Sequence, residues 1–401
     1  YDAAYDAATD AAAATDAAVE TRNRTLLALM GSLNICSREG LIRQYDHEVQ
    51  GGSVLKPLVG CRSDGPGDAA VLRPLLDSDR AVAVSNGLAP RYGDIDPYWM
   101  AVAAVDEAVR NAVAVGADPD HLAILDNFCW PDPVYDEKTN PDGRRKLGAL
   151  VRACEGLRDA AVAYGTPLIS GKDSVKNDFL GRRPAGDAGV ARAPLGPGAG
   201  PDALKLSVPP TLLVSAIGVV PDARGAVSMD FKVAGDYVYV VGLTRDERGA
   251  TEWARLTGAG GGRVPTVDLV LARRCYRAVH HAIAEHLVSS CHDLSDGGLA
   301  VALAESALAG EVGVACDVAK APGCEEFSGE AALYSESGGR FILSVAPEDR
   351  ERFEALLMDV PAACIGRVTA DPTVTLTANG TTLVAASVAA IKQAWQETPQ
   401  W

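Results

Sequence analysis

Short apolar segments of strand length alternate irregularly with helical segments along most of this chain. AVAVS, LAILD and TLLVSAIGVV are apolar over the length of a strand, whereas YWMAVAAVDEAVRNAVAVG has the apolar spacing of a buried helix. Because strands and helices mix without regular β–α–β alternation, the pattern favours an α+β fold over a doubly wound sheet. The 401 residues are enough for two or three domains with substantial cores.

Changes in composition divide the chain into three predicted regions. Residues 1–24 repeat an Ala- and Asp-rich unit and are expected to form an acidic helix or a frayed tail. Residues 25–222 are predicted to form an N-terminal domain that contains a Gly- and Pro-rich surface loop at 181–210. Residues 223–397 are predicted to form a second domain, which begins with the strand GDYVYVVGLT.

The overall composition argues against several classes of function. The net charge of −16 opposes non-specific nucleic-acid binding, which needs a basic surface. No apolar run approaches the roughly 18 residues of a membrane span, so no membrane partner is expected. The nine cysteines are scattered without a CxxC pair, which favours a reducing cytoplasm over a disulfide framework or a structural zinc site. We therefore predict a cytoplasmic protein that binds phosphates only locally, through metal ions, helix ends or a few basic side chains.

The segment HDLSDGGLA, which begins at His292, directly precedes the apolar helical run VALAESALAG. Asp and Ser are good N-cap residues, so one interpretation is simply a well-capped helix start. The other interpretation is a phosphate or metal–phosphate site that includes Asp293 and Ser295, because helix N-termini offer free N–H groups and a positive dipole end. This segment alone leaves both interpretations open.

Two more segments offer hard oxygen ligands. In DGPGDAAVL, Gly67 lets the backbone approach a ligand and Asp68 is a candidate cation ligand at a strand edge; an ordinary turn is the alternative. In VDEAVRNAVA, Glu107 and Asn111 project from one helix face as a carboxylate and an amide oxygen suited to magnesium. The alternative that Asn111 is simply a buried, hydrogen-bonded residue remains open.

The same helix contains a second pair with this spacing, Asp106 and Arg110. An acidic and a basic residue four positions apart on a helix commonly form an exposed ion pair. We therefore interpret this pair as a surface salt bridge.

Polar residues also end two predicted strands. Asp126 follows an apolar run in LAILDNFCW, and Gly171 and Ser174 follow another in TPLISGKDS. Ligands commonly bind just beyond strand ends, so these residues are candidate ligand contacts. The second segment is not a P-loop, because Thr166 stands where that motif needs Gly and Asp173 stands where it needs Ser or Thr.

The segment RQYDHEVQGG places His47 between acidic residues and before two glycines. A histidine with carboxylate neighbours is a candidate general acid or base. Residues adjacent in sequence need not face each other, so an exposed histidine is the alternative.

Candidate oxygen ligands thus recur in four contexts: Asp68, the pair Glu107 and Asn111, Asp126, and Asp293. Their combination predicts Mg²⁺ held by oxygen ligands and bridging to nucleotide phosphates. The residues therefore favour an ATP-using protein.

Seven segments, in order, resemble the second half of the phosphoribosylformylglycinamidine synthase (PurL) family, within the aminoimidazole ribonucleotide synthetase superfamily. They are RQYDHEVQGGSVLKPLVG, DGPGDAAVLRP, RYGDIDPYW, VDEAVRNAVAVGADP, LDNFCW, LISGKDSVKND and HDLSDGGLAVALAESA. The resemblance covers about 25 to 395, nearly the whole chain. It implies a PurM-like architecture: an N-terminal α+β domain that pairs its sheet with a partner copy, and a C-terminal α+β domain.

The resemblance also implies an activity and roles for residues. The family is an ATP-dependent ligase of de novo purine biosynthesis, which converts formylglycinamide ribonucleotide, ATP and glutamine-derived ammonia to formylglycinamidine ribonucleotide, ADP and phosphate. By motif, the implied Mg²⁺ ligands are Asp68, Glu107, Asn111 and Asp293. The implied nucleotide contacts are Gly67 and Ser295, and the implied nucleotide or substrate-phosphate contacts are Asp126, Gly171 and Ser174.

The sequence departs from the family pattern in two ways. Lys172 stands where small PurL proteins have Asn, which indicates the long-form lineage. The first tandem half, with its catalytic His segment, and the glutaminase domain are not found, so we expect the chain to be incomplete. His47 is the candidate pseudo-symmetric counterpart of that catalytic His.

Two alternatives to an active enzyme half remain open. One is a scaffold whose ADP or ATP is structural, since the resemblance implies a structural nucleotide in this half of long-form enzymes. The other is a stand-alone homodimer related to aminoimidazole ribonucleotide synthetase, in which two copies form two sites.

Overall fold

Helices and strands alternate irregularly along the chain and build two separate mixed sheets, which confirms the predicted α+β class. The computed structural model describes residues 2–182, 203–325, 327 and 329–397, with side chains from Asp16 onward. The helices of this part are α1 (Asp2–Met30), α2 (Glu39–Ile42), α3 (Pro97–Ala114), α4 (Gly143–Tyr164), α5 (Glu252–Thr257), α6 (Leu269–Ala284), α7 (Gly298–Gly310), α8 (Gly329–Tyr334), α9 (Arg350–Leu356) and α10 (Val388–Glu397). The strands are β1 (Ser53–Leu55), β2 (Ala70–Leu72), β3 (Ala81–Leu88), β4 (Leu122–Cys129), β5 (Leu168–Ser174), β6 (Asp178–Arg182), β7 (Ala203–Ser207), β8 (Thr211–Val220), β9 (Tyr237–Val241), β10 (Ser290–Asp293), β11 (Gly313–Asp317), β12 (Phe341–Val345), β13 (Ala362–Thr369), β14 (Thr373–Ala378) and β15 (Thr381–Ser387).

The first sheet has the strand order β1–β2–β3–β8–β4–β5, and only its β4–β5 pair is parallel. Burial alternates along β3 and β8 because one face packs on helix α3 while the other lies open. Gly87 allows this close packing, since a Cβ there would lie 2.1 Å from the carbonyl oxygen of Ala104. The open face carries exposed apolar side chains, among them Val84, Leu88 and Ile217.

The second sheet has the order β10–β12–β9–β13–β11–β14–β15. Every residue of β12 is buried, because helices cover both faces of the sheet. Side chains of α6 and α9 join one apolar core with the alternate strand residues Tyr239 and Phe341. Side chains of α7, α8 and α10 join another core with Val240 and Ile342. Since α3 and α4 share the first of these cores, the two domains meet through α3, α4 and α6.

Helix α1 packs on the second sheet rather than the first. Leu26, Leu29 and Met30 are fully buried in the core that contains α7 and α10, and Asn23 exchanges two hydrogen bonds of 2.9 Å with the backbone of Ala385 in β15. Residues 25–30, predicted as the start of the N-terminal domain, therefore pack with the C-terminal one. The boundary at 222 and 223 remains a prediction.

The predicted surface loop at 181–210 contains a strand. Residues 203–207 form β7 and pair with β6 in a separate two-stranded sheet, so the loop prediction is wrong there. The pairing was not predictable locally, because Pro and Gly dominate the composition of the segment. Residues 183–202 lie outside the described part of the chain. Among the residues that the structure describes, no helix has both the length and the apolar character needed to cross a lipid bilayer.

Candidate functional site

A cavity of about 340 Å³ lies where the two domains meet, between the loop before β2, helix α3 and the turn that joins β10 to α7. Six of the ten residues predicted from the sequence line this cavity. They are Gly67, Asp68, Glu107, Asn111, Asp293 and Ser295. Residues separated by more than 200 positions are thus brought to one place, and we refer to it as the junction cavity.

A histidine that lines the cavity, His292, lies between two carboxylates. His292 Nδ1 lies 2.6 Å from Asp68 Oδ1, and its Nε2 lies 3.1 Å from Glu305 Oε2. Burial opposes protonation of this ring, but the carboxylates of Asp68 and Glu305 raise the pKa of His292 well above its ordinary value. With its two ring nitrogens directed at Asp68 and Glu305, His292 orients the Asp68 carboxylate.

Two buried oxygen atoms in the cavity wall have no hydrogen-bond partner among the described residues: Asp68 Oδ2 and Asn111 Oδ1. The amide of Asn111 is held in orientation by its Nδ2, which donates to the carbonyl of Asn86 at 3.1 Å. A buried acceptor left unpaired costs about 1–3 kcal/mol. A cation with oxygen ligands would satisfy both atoms, so the donor set fits Mg²⁺.

Helix α3 presents Glu107 and Asn111 to the cavity because they lie one turn apart. The helix starts at Pro97 with Asp96 as its N-cap, which accepts a hydrogen bond from the Tyr98 N–H. Glu107 Oε2 accepts a hydrogen bond of 2.8 Å from the Leu88 N–H. Burial and the nearby charge of Asp293 raise the pKa of Glu107 to about 8, so a bound cation would be needed to keep it ionised at neutral pH.

The prediction of a surface salt bridge between Asp106 and Arg110 is wrong. Both side chains are buried, and the Arg110 guanidinium bridges Asp106 to Asp293, whose Oδ2 lies 3.0 Å from Nη2. Asp106 also accepts hydrogen bonds from the hydroxyls of Tyr164 and Tyr276. The i,i+4 rule identified the pair but not its surroundings, since it was the packing of α4 and α6 that enclosed this face of α3.

The N-cap interpretation of HDLSDGG is also wrong. Helix α7 begins at Gly298, its N-cap is Gly297 with φ +77°, and no side chain caps it from that position. Glu336 accepts the free Gly297 N–H at 2.8 Å instead. Ser295 and Asp296 therefore do not cap the helix, and both line the junction cavity.

The remaining four predicted residues lie elsewhere. Asp126 and Gly171 face each other across the parallel β4–β5 pair, and a Cβ on Gly171 would lie 2.6 Å from Asp126 Oδ1. Ser174 ends the same strand β5. These residues lie within the strands rather than beyond their ends, and they do not line the junction cavity. His47 occupies the loop between α2 and β1, with Nδ1 3.0 Å from the Tyr45 carbonyl oxygen, and it does not line the cavity either.

Sequence reasoning missed several cavity residues. Glu305 is the one charged residue of the apolar helix α7, which was a usable signal. Asn34 and Arg38 also line the cavity, but no local sequence pattern marks them. The position of their segment depends on contacts with helix α10, more than 350 residues away in sequence. Trp395 in α10 fixes that segment by donating from Nε1 to the Ile35 carbonyl at 2.8 Å.

Comparison with known protein families agrees with this geometry. The N-terminal domain of AIR synthase related proteins matches residues 66–184, and the C-terminal domain of the same proteins matches residues 233–379. Together the two matches cover more than half of the chain. The chain belongs to the AIR synthase related family. Residues of both matched domains line the junction cavity.

Relatives within this family are named phosphoribosylformylglycinamidine synthase subunit PurL, which confirms the resemblance. The PurL of Thermococcus sibiricus is 35% identical over 343 residues, covering 86% of this chain and 42% of that protein. The PurL of a Synechococcus strain is 34% identical over 389 residues, covering 92% of this chain and 45% of that protein. The chain thus spans less than half the length of the relatives it matches.

Solved structures confirm the PurM-like architecture. T. maritima PurL complexed with FGAR superposes with a TM-score of 0.66 at 18% identity, covering 94% of this chain and 54% of that one. The complex of the same protein with ADP gives a TM-score of 0.62 at 19% identity, covering 94% and 52%. At this level of identity the likeness establishes the fold alone.

Proposed function

We propose that the junction cavity binds a magnesium–nucleotide complex, ATP or ADP, and that the chain is the second synthetase half of a phosphoribosylformylglycinamidine synthase. The observation that carries the proposal is the pair of buried, unpaired oxygens on Asp68 and Asn111. They lie in one cavity with the carboxylates of Asp293 and Glu107. Each of the two unpaired oxygens lacks a partner, and a bound cation with oxygen ligands would satisfy both.

The chain's own residues have distinct tasks in this site. Asp68, Glu107, Asn111 and Asp293 hold the metal, while Gly67 and Ser295 contact the nucleotide. His292 fixes the rotamer of Asp68 through the 2.6 Å contact, and Arg110 fixes Asp293 from the opposite side. When bound, Mg²⁺ neutralises phosphate charge and aligns the phosphate oxygens. The carboxylates by themselves would repel a nucleotide, so nucleotide affinity depends on the metal.

The complete reaction, from formylglycinamide ribonucleotide, ATP and glutamine-derived ammonia, is proposed for an assembly that includes this chain. PurL relatives are more than twice as long as the stretch they share with it, which supports a requirement for a first synthetase half. The open face of the N-terminal sheet supports a partner too, because Val84, Leu88 and Ile217 are each more than 40% exposed there. Ammonia would come from a glutaminase domain or subunit. A second copy of this chain is the alternative partner for the sheet.

We assign Asp126, Gly171 and Ser174 to nucleotide or substrate-phosphate contacts that the partner completes. Strand β5 is an exposed edge of the first sheet, so these residues face the position where another domain would pack. His47 lies on an exposed loop and remains a candidate acid or base for the assembled enzyme.

Calorimetric titration of the purified chain with ADP, with and without Mg²⁺, tests the proposed site. We expect Asp68→Asn to weaken Mg²⁺-dependent ADP binding by at least about tenfold, because it removes one charged metal ligand. Asp77→Asn is the matched control, since Asp77 is exposed and lies outside the cavity. Equal affinity in the two variants would contradict the assignment. About one ADP per chain released on acid quenching would favour a structural nucleotide, and its absence an exchangeable one.

A further inference from the structure

A second groove, of about 660 Å³, lies on the C-terminal domain and shares no lining residue with the junction cavity. Its walls are the turn after β9, the aromatic ring of Trp253 and residues 259–263 of the glycine-rich segment 258–263. We call it the arginine groove, because Arg245, Arg248 and Arg263 all line it.

The arginine groove has the opposite charge to the rest of the molecule. The chain has a net charge of −16, yet three guanidinium groups line this groove against the single carboxylate of Asp246. Among the described residues, the side chains of Arg245 and Arg263 form no hydrogen bond or ion pair, unlike Arg248, which is bound to Asp246. Two uncompensated guanidinium groups in one concave surface attract an anion.

The third arginine is held in place for binding. Its Nε and Nη2 donate to the two oxygens of Asp246 at 2.8 and 3.2 Å, which leaves Nη1 free. The Arg248 guanidinium also lies 4.9 Å from the centre of the Trp253 ring, and that ring stacks on Tyr334 at an interplanar angle of 15°. A fixed guanidinium loses less conformational entropy when it binds a ligand.

The glycine-rich segment lets the backbone approach a ligand. Gly258, Gly261 and Gly262 have φ values of +71°, +79° and +93°, which only glycine adopts readily. A Cβ on Gly258, Gly260 or Gly261 would meet nothing within 4 Å, so this part of the segment faces open space. Backbone N–H groups in such a segment are available to bind an oxyanion.

We propose that the arginine groove is a binding site for a phosphate group, carried either by a small phosphate monoester or as inorganic phosphate. Planar guanidinium groups and glycine N–H donors match the geometry and charge of phosphate oxygens. The site is separate from the metal-dependent junction cavity, so it extends the proposed function without depending on it. It needs no metal ion, because the positive charge comes from the protein itself.

Calorimetry in EDTA tests the proposal, because without Mg²⁺ we expect the junction cavity to bind no phosphate compound. The probes are inorganic phosphate and ribose 5-phosphate, titrated separately into the intact chain. We expect Arg245→Gln and Arg263→Gln each to weaken binding of the preferred probe about tenfold, the loss expected for a charge-assisted contact. The probe that binds more tightly identifies the source of the phosphate.

Two further variants separate this site from the junction cavity and from general charge effects. Arg80→Gln removes an exposed arginine outside the groove, and Asp68→Asn alters the junction cavity. Both should bind the probes as the unaltered chain does. The proposal is overturned if neither probe binds, or if Arg80→Gln weakens binding as much as Arg263→Gln does. Because Arg263 is exposed, its replacement leaves the fold intact and keeps the test decisive.

Discussion

The junction cavity and the β4–β5 edge contain similar sets of residues in very different surroundings. Asp68 is buried between two domains and has an oxygen without a partner, whereas Gly171 and most of β5 lie at an exposed sheet edge. In the cavity both walls come from this chain, so ligand positions are already fixed. At the β4–β5 edge this chain provides only one side of the proposed binding site. We therefore propose that the chain alone forms the first site and that the second depends on a partner.

The substitution expected to disturb the junction cavity most removes the buried, positively charged side chain of Arg110. Arg110→Gln would remove the buried guanidinium that pairs with both Asp106 and Asp293, so we expect a loss of about 3–5 kcal/mol in the free energy of unfolding. Urea denaturation measures it. The matched control is Arg158→Gln, whose pair with Asp159 is exposed and screened by solvent, so we expect a much smaller loss there. Similar losses in both variants would show that the buried network is not supporting the cavity.

One substitution in each region tests whether the junction cavity binds ADP without the β4–β5 edge. Asn111→Ala removes a proposed metal ligand, and we expect it to weaken Mg²⁺–ADP binding about tenfold. Asp126→Asn, at the β4–β5 edge, should leave the affinity of the isolated chain unchanged because that edge does not line the cavity. Calorimetry on both variants gives the answer. If Asp126→Asn weakens ADP binding as much as Asn111→Ala, the two regions form a single nucleotide site.

The dependence of Mg²⁺ binding on pH tests the role of Glu107 in the junction cavity. Burial raises the pKa of Glu107 to about 8, so its protonated form dominates at neutral pH and a proton must leave before it binds Mg²⁺. We therefore expect Mg²⁺ affinity to rise with pH between 6 and 8, by at most about tenfold per unit, and to level off above that range. Glu107→Gln cannot lose a proton and should remove this part of the dependence. A profile unchanged by that substitution would exclude Glu107 as a ligand.

Local patterns predicted which residues line the junction cavity better than they predicted the surroundings of those residues. The spacing of Glu107 and Asn111 identified one face of α3, and the order of the motifs identified the family and the α+β fold. The same spacing rule misplaced Arg110, since burial of that face depends on α6, more than 150 residues away in sequence. Helix-capping preferences failed at α7 for a similar reason. Glu336, distant in sequence, accepts the Gly297 N–H and frees Ser295 and Asp296 for the cavity.

The smallest expected effect concerns the residue that departs from the small-PurL pattern. Lys172 lies on the exposed strand β5, and its Nζ donates to the Ser174 hydroxyl at 2.8 Å. Because that contact is exposed to solvent, Lys172→Ala should change the free energy of unfolding by less than about 0.5 kcal/mol. Mg²⁺–ADP affinity of the isolated chain should change less than it does in Asn111→Ala. A marked loss of ADP affinity would place Lys172 in the nucleotide site, and it would mean that the β4–β5 edge binds a ligand without any partner.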